Sequence, residues 1–257
     1  MGYRIAITGK GGVGKTTVAA LMISSLLRRG CRPVLAVDAD PNSCLDEALG
    51  VMVEKTIGGA REEAKLIAKN GMAAGIAKKD LLELKIAESL VEARDFDLIA
   101  MGRPEGPGCY CYSNSVLKEV MGHLTAEYPF IVLDNEAGLE NLSRRLAQKV
   151  ELLVMVADSS RKGMETVLRL HALAREMEIN FDRLAIIINR IQDEDFDEKS
   201  SGLEKKTNAD FFLHLPYDAE ILEYSEQGKS ILSLSPENCG VKKMDKFIDE
   251  LELPSRR

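Results

Sequence analysis

The sequence predicts an α/β protein with a doubly wound, mainly parallel sheet and helices on both faces. Three observations predict it. Short apolar runs recur at residues 3–8, 34–37, 98–101, 130–133, 152–156 and 184–188. They lack polar alternation, as strands buried on both faces do. Helical patterns separate them at residues 80–94, 115–127, 163–177 and 218–226, which gives the βαβ alternation of a parallel sheet. Finally, a glycine-rich loop, GKGGVGKTT at residues 9–17, joins the first strand to an amphipathic stretch at 16–29, where Val18, Leu21, Met22, Leu26 and Leu27 recur at helical spacing.

Two segments fit the scheme poorly. Residues 51–75 carry Gly58, Gly59, Gly71 and Gly75 and read as a mobile excursion, while the charged residues 192–208 read as a solvated helix or loop. No internal repeat and no linker divides residues 1–257, so a single domain is expected.

Composition narrows the function classes. The formal net charge of −7, with no basic run, points to neither nucleic acid nor membrane as partner. The first strand begins at Tyr3, leaving no room for a signal peptide, and no apolar stretch has membrane-spanning length, so the cytoplasm is the expected location. The five cysteines are then expected as thiols. Cys31, Cys44 and Cys239 read as structural, and His123, His171 and His214 share no ligand spacing.

The loop after the first strand satisfies the P-loop pattern G-x-x-x-x-G-K-[ST] with Gly9, Gly14, Lys15 and Thr16. Such loops cradle phosphates with backbone N–H groups, here from Gly9, Gly11, Gly12, Val13, Gly14 and Thr17. Lys15 adds a point charge, and Thr16 offers a hydroxyl to Mg²⁺. The helix N-terminus that follows favours the same anion. Lys10 is surplus to this pattern.

Two lysines in one P-loop resemble the deviant Walker A family of ATPases, which includes the nitrogenase iron protein and the MinD, ParA and arsenical-pump ATPases. The resemblance implies a P-loop fold that binds ATP and Mg²⁺ as a homodimer. It also implies that Lys10 reaches across the dimer to the partner's phosphates. A group acting like an arginine finger in this way is worth about 10³ to 10⁵ in rate.

Ligands of open α/β sheets collect at the carboxyl ends of strands. Asp38 and Asp40 in VDADP follow the second apolar run, and Asp134 in VLDNEAG follows the fourth. The resemblance assigns Asp40 to orienting the attacking water, Asp134 to the Mg²⁺ shell through water, and Asp38 to the same water network. Pro41 and Gly138 would let the two loops move as switches. Guanine-specific loops read N-K-x-D, but here Gln192 stands at the aspartate position, so adenine is favoured. In the resembling ATPases, the position of Asn189 and the backbone of L-P-x-D, here residues 215–218 with Pro216, hold the base.

A second motif, GPGCYCYSN at residues 106–114, places Cys109 and Cys111 in a Gly/Pro-rich loop before a helical pattern. A helix N-terminus lowers a nearby thiol pKa and favours the metal-binding thiolate. Two thiolates are half of a tetrahedral site, and a two-fold contact at this loop would complete Cys₄. Ordinary loop residues or a redox pair are the alternatives. With DNEAGLE downstream, this loop resembles the CooC-type ATPases that mature nickel enzymes. The resemblance implies Ni²⁺ or Zn²⁺ at the cysteine pair and a carbon monoxide dehydrogenase or acetyl-CoA synthase as client. The competing expectation is a MinD- or ParA-like positioning switch that handles no metal. MinD-like proteins end in a basic amphipathic membrane helix, whereas residues 242–253 form an acidic amphipathic stretch expected to pack on the domain.

Overall fold

The computed structural model describes residues 2–41, 44–69, 78–102, 122, 126–139, 149–192 and 196–254. Its strands are β1 (Tyr3–Gly9), β2 (Val34–Asp38), β3 (Val91–Glu92), β4 (Phe96–Ala100), β5 (Phe130–Asp134), β6 (Val150–Asp158), β7 (Phe181–Ile191) and β8 (Phe211–Pro216). They form one sheet in the order β3-β4-β2-β5-β1-β6-β7-β8, parallel throughout except for the β3–β4 pair. The expected doubly wound α/β architecture is therefore present. Every residue of β2 and β5 is buried, as their unbroken apolar sequences require.

Helices cover both faces. On one side, α1 (Lys15–Arg28), α2 (Leu45–Leu49) and the last helix close a core built on Ile5, Val132 and Val154. On the other, α3 (Ile57–Lys69), α4 (Lys78–Ala87), α5 (Arg161–Glu176) and α6 (Phe196–Thr207) cover Val37, Ile131 and Leu153. A further helix, α7 (Ala219–Glu226), starts from Asp218, whose carboxylate accepts the N–H groups of Glu220 and Ile221.

Several local expectations change. The segment from 51 to 75 contains α3, started by Thr56, whose hydroxyl accepts the Gly59 N–H, and anchored by buried Ile57, Ala60 and Ala64. The helix expected at 80–94 ends at Ala87, and Val91–Glu92 turns back as the antiparallel edge β3. The charged stretch near 200 is helical, as α6. The pattern at 115–127 lies largely outside the described residues.

The acidic C-terminal stretch packs as expected. It is α8 (Cys239–Glu250), with Val241, Met244, Phe247 and Ile248 buried against α1 and β8. Its polar side meets α1, where Ser25 donates to Asp245 at 2.6 Å and Arg28 and Arg29 pair with Asp245 and Asp249. Part-exposed ion pairs contribute little, so apolar burial holds this helix in place. No helix among the described residues is long and apolar enough to cross a membrane.

Candidate functional site

The P-loop leaves the sheet between β5 and β6, with Ile7 opposite Asp134 and Gly9 opposite Val156. Its glycines are of two kinds. A Cβ on Gly9 would stand 2.3 Å from the Val156 carbonyl, and one on Gly14 (φ 89) would stand 2.5 Å from Asn189 Nδ2, so packing excludes any side chain there. At Gly11 and Gly12 a Cβ would meet nothing within 4 Å, which leaves that stretch of backbone open to a ligand. Lys15 is buried, its ammonium donating at 3.4 Å to the Lys10 carbonyl. Lys10 is exposed.

Asp38 ends β2 and Asp134 ends β5, and the two are register partners. The Thr16 hydroxyl donates to Asp134 Oδ2 at 2.6 Å, while Asp134 Oδ1 is buried with no hydrogen-bond partner. Burial, opposed in part by the Thr16 bond, pushes this carboxyl up to about 7. A hydroxyl and a buried, under-satisfied carboxylate at the foot of a phosphate loop are hard oxygen donors that suit Mg²⁺.

A pH dependence follows. Between the ordinary 3.8 and about 7, the folded protein holds a proton on Asp134 that the unfolded chain has released. Stability of the ligand-free protein therefore falls as pH rises through that window. Asp134→Asn is expected to flatten this slope in urea denaturation followed between about pH 5 and pH 8; an unchanged slope would place its origin elsewhere.

Asp38 is held by the backbone of the loop that follows it. Its Oδ1 accepts the Asp40 N–H and its Oδ2 accepts the N–H groups of Cys44 and Leu45, all at 3.0 Å, so it caps the start of α2 and shapes the loop. Burial raises its pKa and these bonds oppose the rise. Asp40 is half-buried in that loop, and its charge raises the pKa of both Asp38 and Asp134.

The segment after β5 is tied to β1. The Thr8 hydroxyl donates to the Gly138 carbonyl at 2.6 Å, and the Asn135 backbone and side-chain N–H groups both donate to the Ile7 carbonyl. Sequence reasoning missed Asn135, whose buried amide follows Asp134 directly. Neighbouring strand ends are joined as well, by Ala39 N–H to the Asp134 carbonyl at 2.9 Å and Met101 N–H to the Asp38 carbonyl at 2.8 Å. The Met101 carbonyl in turn accepts the Gly58 N–H that opens α3.

Asn189 and Pro216 do come together, lining one groove with Thr17, Leu215, Tyr217 and Ile221. Asn189 does not end its strand, because β7 continues through an irregularity to Ile191. The Asn189 amide donates to the Val13 carbonyl at 3.0 Å, bracing the P-loop. Arg190, also missed from sequence, lines the same groove and donates to the Gly12 carbonyl at 3.2 Å. A second cavity of about 190 Å³ adjoins Thr16 and Thr17, with Cys44, Glu47 and Tyr224 in its wall.

Cys109 and Cys111, with the loop around them, lie outside the described residues, as does His123. Cys31 is half-buried, and Cys44 and Cys239 are exposed. Burial and the neighbouring carboxylates Asp38 and Asp40 raise the Cys44 thiol pKa, which favours the protonated form. Among the described residues, no three His, Cys, Asp or Glu side chains cluster as a metal site.

Residues 5–231 match the family model of the CobQ/CobB/MinD/ParA nucleotide binding domain. The chain is 41% identical over 248 residues to an uncharacterized ATP-binding protein of Methanocaldococcus jannaschii, covering 96% of this chain and 97% of the relative. It is 28% identical over 249 residues to the carbon monoxide dehydrogenase accessory protein CooC of Rhodospirillum rubrum, covering 91% and 90%. Among solved structures, the septum site-determining protein MinD of Pyrococcus horikoshii, complexed with Mg-ADP, superposes with a TM-score of 0.68 at 22% identity, covering 98% of this chain and 96% of that one. With P-loop, strand-end aspartates and an adjoining groove in one arrangement, the chain belongs to the CobQ/CobB/MinD/ParA nucleotide-binding family and is an ATPase.

Proposed function

We propose that the chain works as a homodimer in which ATP binding and hydrolysis drive subunit closure, and closure drives capture and release of Ni²⁺ or Zn²⁺ as cargo at Cys109 and Cys111. The client in this reading is a nickel-containing carbon monoxide dehydrogenase or acetyl-CoA synthase. The observation that carries it is the 28% identity to CooC across nine-tenths of both chains.

The residues divide the work as follows. The P-loop backbone from Gly9 to Thr17 and the Lys15 ammonium seat the triphosphate, and Asn189 and Pro216 take the adenine. Mg²⁺, when bound through Thr16 and by way of water through Asp134, would neutralise charge on the triphosphate. Asp40 orients the attacking water, Asp38 holds the Asp40 loop in shape, and Lys10 reaches the partner's phosphates. Loss of the γ-phosphate releases the loops after Asp38 and Asp134.

A second reading is a MinD- or ParA-like positioning switch, favoured by the MinD likeness of the fold. Against its membrane form, the apolar face of α8 is buried on α1 and β8 and so is not presented to lipid. The two readings separate in one experiment. Native mass and bound metal are measured after adding Ni²⁺ or Zn²⁺ to the reduced protein with ADP or with a non-hydrolysable ATP analogue. One metal per dimer is the expected result. ATP-driven dimers without stoichiometric metal would instead favour the positioning switch.

A further inference from the structure

Lys10 and Glu136 stand on adjoining loops. Strands β1 and β5 are parallel neighbours with Ile7 opposite Asp134, so the loops that follow them leave the same edge of the sheet side by side. Both residues are exposed. Among the described residues neither side chain forms an ion pair or a hydrogen bond, although the charges are opposite and the loops adjoin.

The backbone around Glu136 is fixed. Asn135, just before it, gives its backbone N–H and its Nδ2 to the Ile7 carbonyl at 3.1 and 3.0 Å. Two residues after it, the Gly138 carbonyl accepts the Thr8 hydroxyl at 2.6 Å, and Leu139 then enters the core. Residues 135–139 thus form a short arch with both feet on consecutive residues of β1, and Glu136 and Ala137 stand exposed at its crest. A backbone held in this way loses little further freedom when the crest meets a partner.

The other described carboxylates at the ends of β2, β5 and β6 are engaged. Asp134 is buried against Thr16, and Asp38 accepts three loop N–H groups. Asp40 is half-buried in that same loop. Asp158, on the far side of β1, accepts the Ser160 N–H and lies 2.4 Å from where a Gly163 Cβ would be. Glu136 alone among them is exposed and without a partner.

A two-fold interface is self-complementary, because whatever one subunit's residue meets on its partner, the partner's copy meets in return. A face with an unpaired cation and an unpaired anion on adjoining loops satisfies that condition with one contact used twice. We propose that on closure Lys10 of each subunit is received by the partner's Glu136, so that two reciprocal ion pairs form across the interface. The pairing rests on the reading of the chain as an ATP-driven homodimer in which Lys10 acts across the interface. Glu136 is then a positioning residue, holding the incoming ammonium at the rim of the phosphate seat that it serves.

The test is zero-length coupling of the full chain. Heavy-isotope and unlabelled protein are mixed, treated with a carbodiimide that joins an amine to a carboxylate in contact with it, and read by peptide mass spectrometry. With a non-hydrolysable ATP analogue, Lys10–Glu136 peptides of mixed isotope are expected; with ADP they should be absent. Coupled peptides of like isotope only, or dimers without this product, would overturn the proposal. Sedimentation with the same analogue gives the second readout. Glu136→Gln is expected to weaken dimerisation by about tenfold, a few-fold for each of two part-exposed pairs, and the gap should narrow as salt rises from about 50 mM to about 500 mM. Glu136→Lys, which sets like charges together, should weaken it further. Neither variant is expected to melt at lower temperature, since Glu136 is exposed, and this separates a lost contact from a folding defect. Unchanged dimerisation in Glu136→Gln, even with turnover lost, would place the residue within its own subunit's reaction and overturn the pairing. If the wild type forms no dimer with the analogue, the underlying homodimer reading fails instead.

Discussion

Lys10→Ala is expected to lower ATP turnover by about 10³-fold or more while ATP affinity changes little, because a cation supplied from a second subunit acts on the transition state. The distinguishing measurement is complementation. Asp40→Ala is expected to be inactive in its own site but still carries Lys10. Mixed with Lys10→Ala, it forms heterodimers in which one site has both Asp40 and a lysine from the partner. Turnover should rise in an equimolar mixture towards about a quarter of that of the wild type, because half of the dimers are heterodimers and each holds one working site. A mixture as inactive as its components would show that Lys10 acts within its own chain or not at all. The exposed Lys10 side chain, beside a Lys15 that is buried, is the geometry that motivates the experiment.

The second large effect concerns the metal. Replacing Cys109 and Cys111 together by Ala is expected to abolish stoichiometric Ni²⁺ or Zn²⁺ uptake while nucleotide binding survives. In the proposed dimer, two thiolates from each subunit would complete a soft tetrahedral set, and no described residue cluster offers a substitute. Equilibrium dialysis on the reduced double variant, with nucleotide affinity measured in parallel, decides it. Uptake equal to the wild type would remove the cysteine pair from the function.

Much of the fold was legible because six of the eight strands are long apolar runs, which the sheet buries on both sides. The two missed strands lie at the sheet's edges and carry weaker signals. Two-residue β3 has no periodicity to read, and β8 mixes His214 and Pro216 into a half-buried sequence. Helix α3 was hidden by Gly58 and Gly59, which sit in its first turn, where low helix propensity matters least. At the site, the spacing of the P-loop fixed its place, and strand-end positions brought Asp38 and Asp134 together.

The sequence could not show how those groups divide their bonds. The Asp38 carboxylate reads the same whether it faces a ligand or caps the next helix, and only the approach of the N–H groups of Asp40, Cys44 and Leu45 decides. Asn135 and Arg190 carry no motif of their own. One is identified by its burial beside β1, the other by its backbone angle and its hold on Gly12.

The run of backbone bonds from Asp134 to Ala39, and from Asp38 through Met101 to Gly58, has a mechanical consequence. Chain leaving β4 does so from Met101 and Gly102, and a Cβ on Gly102 would stand 2.4 Å from Thr56 Oγ1. The root of the segment that leads to Cys109 is thus geared to the carbonyl of Asp38 on one side and wedged against the start of α3 on the other. Displacing the tip of β2 tugs on that root directly, through two covalently successive peptides and a single hydrogen bond. In this architecture the tip of β2 and the residues Met101 and Gly102 that follow β4 move as one.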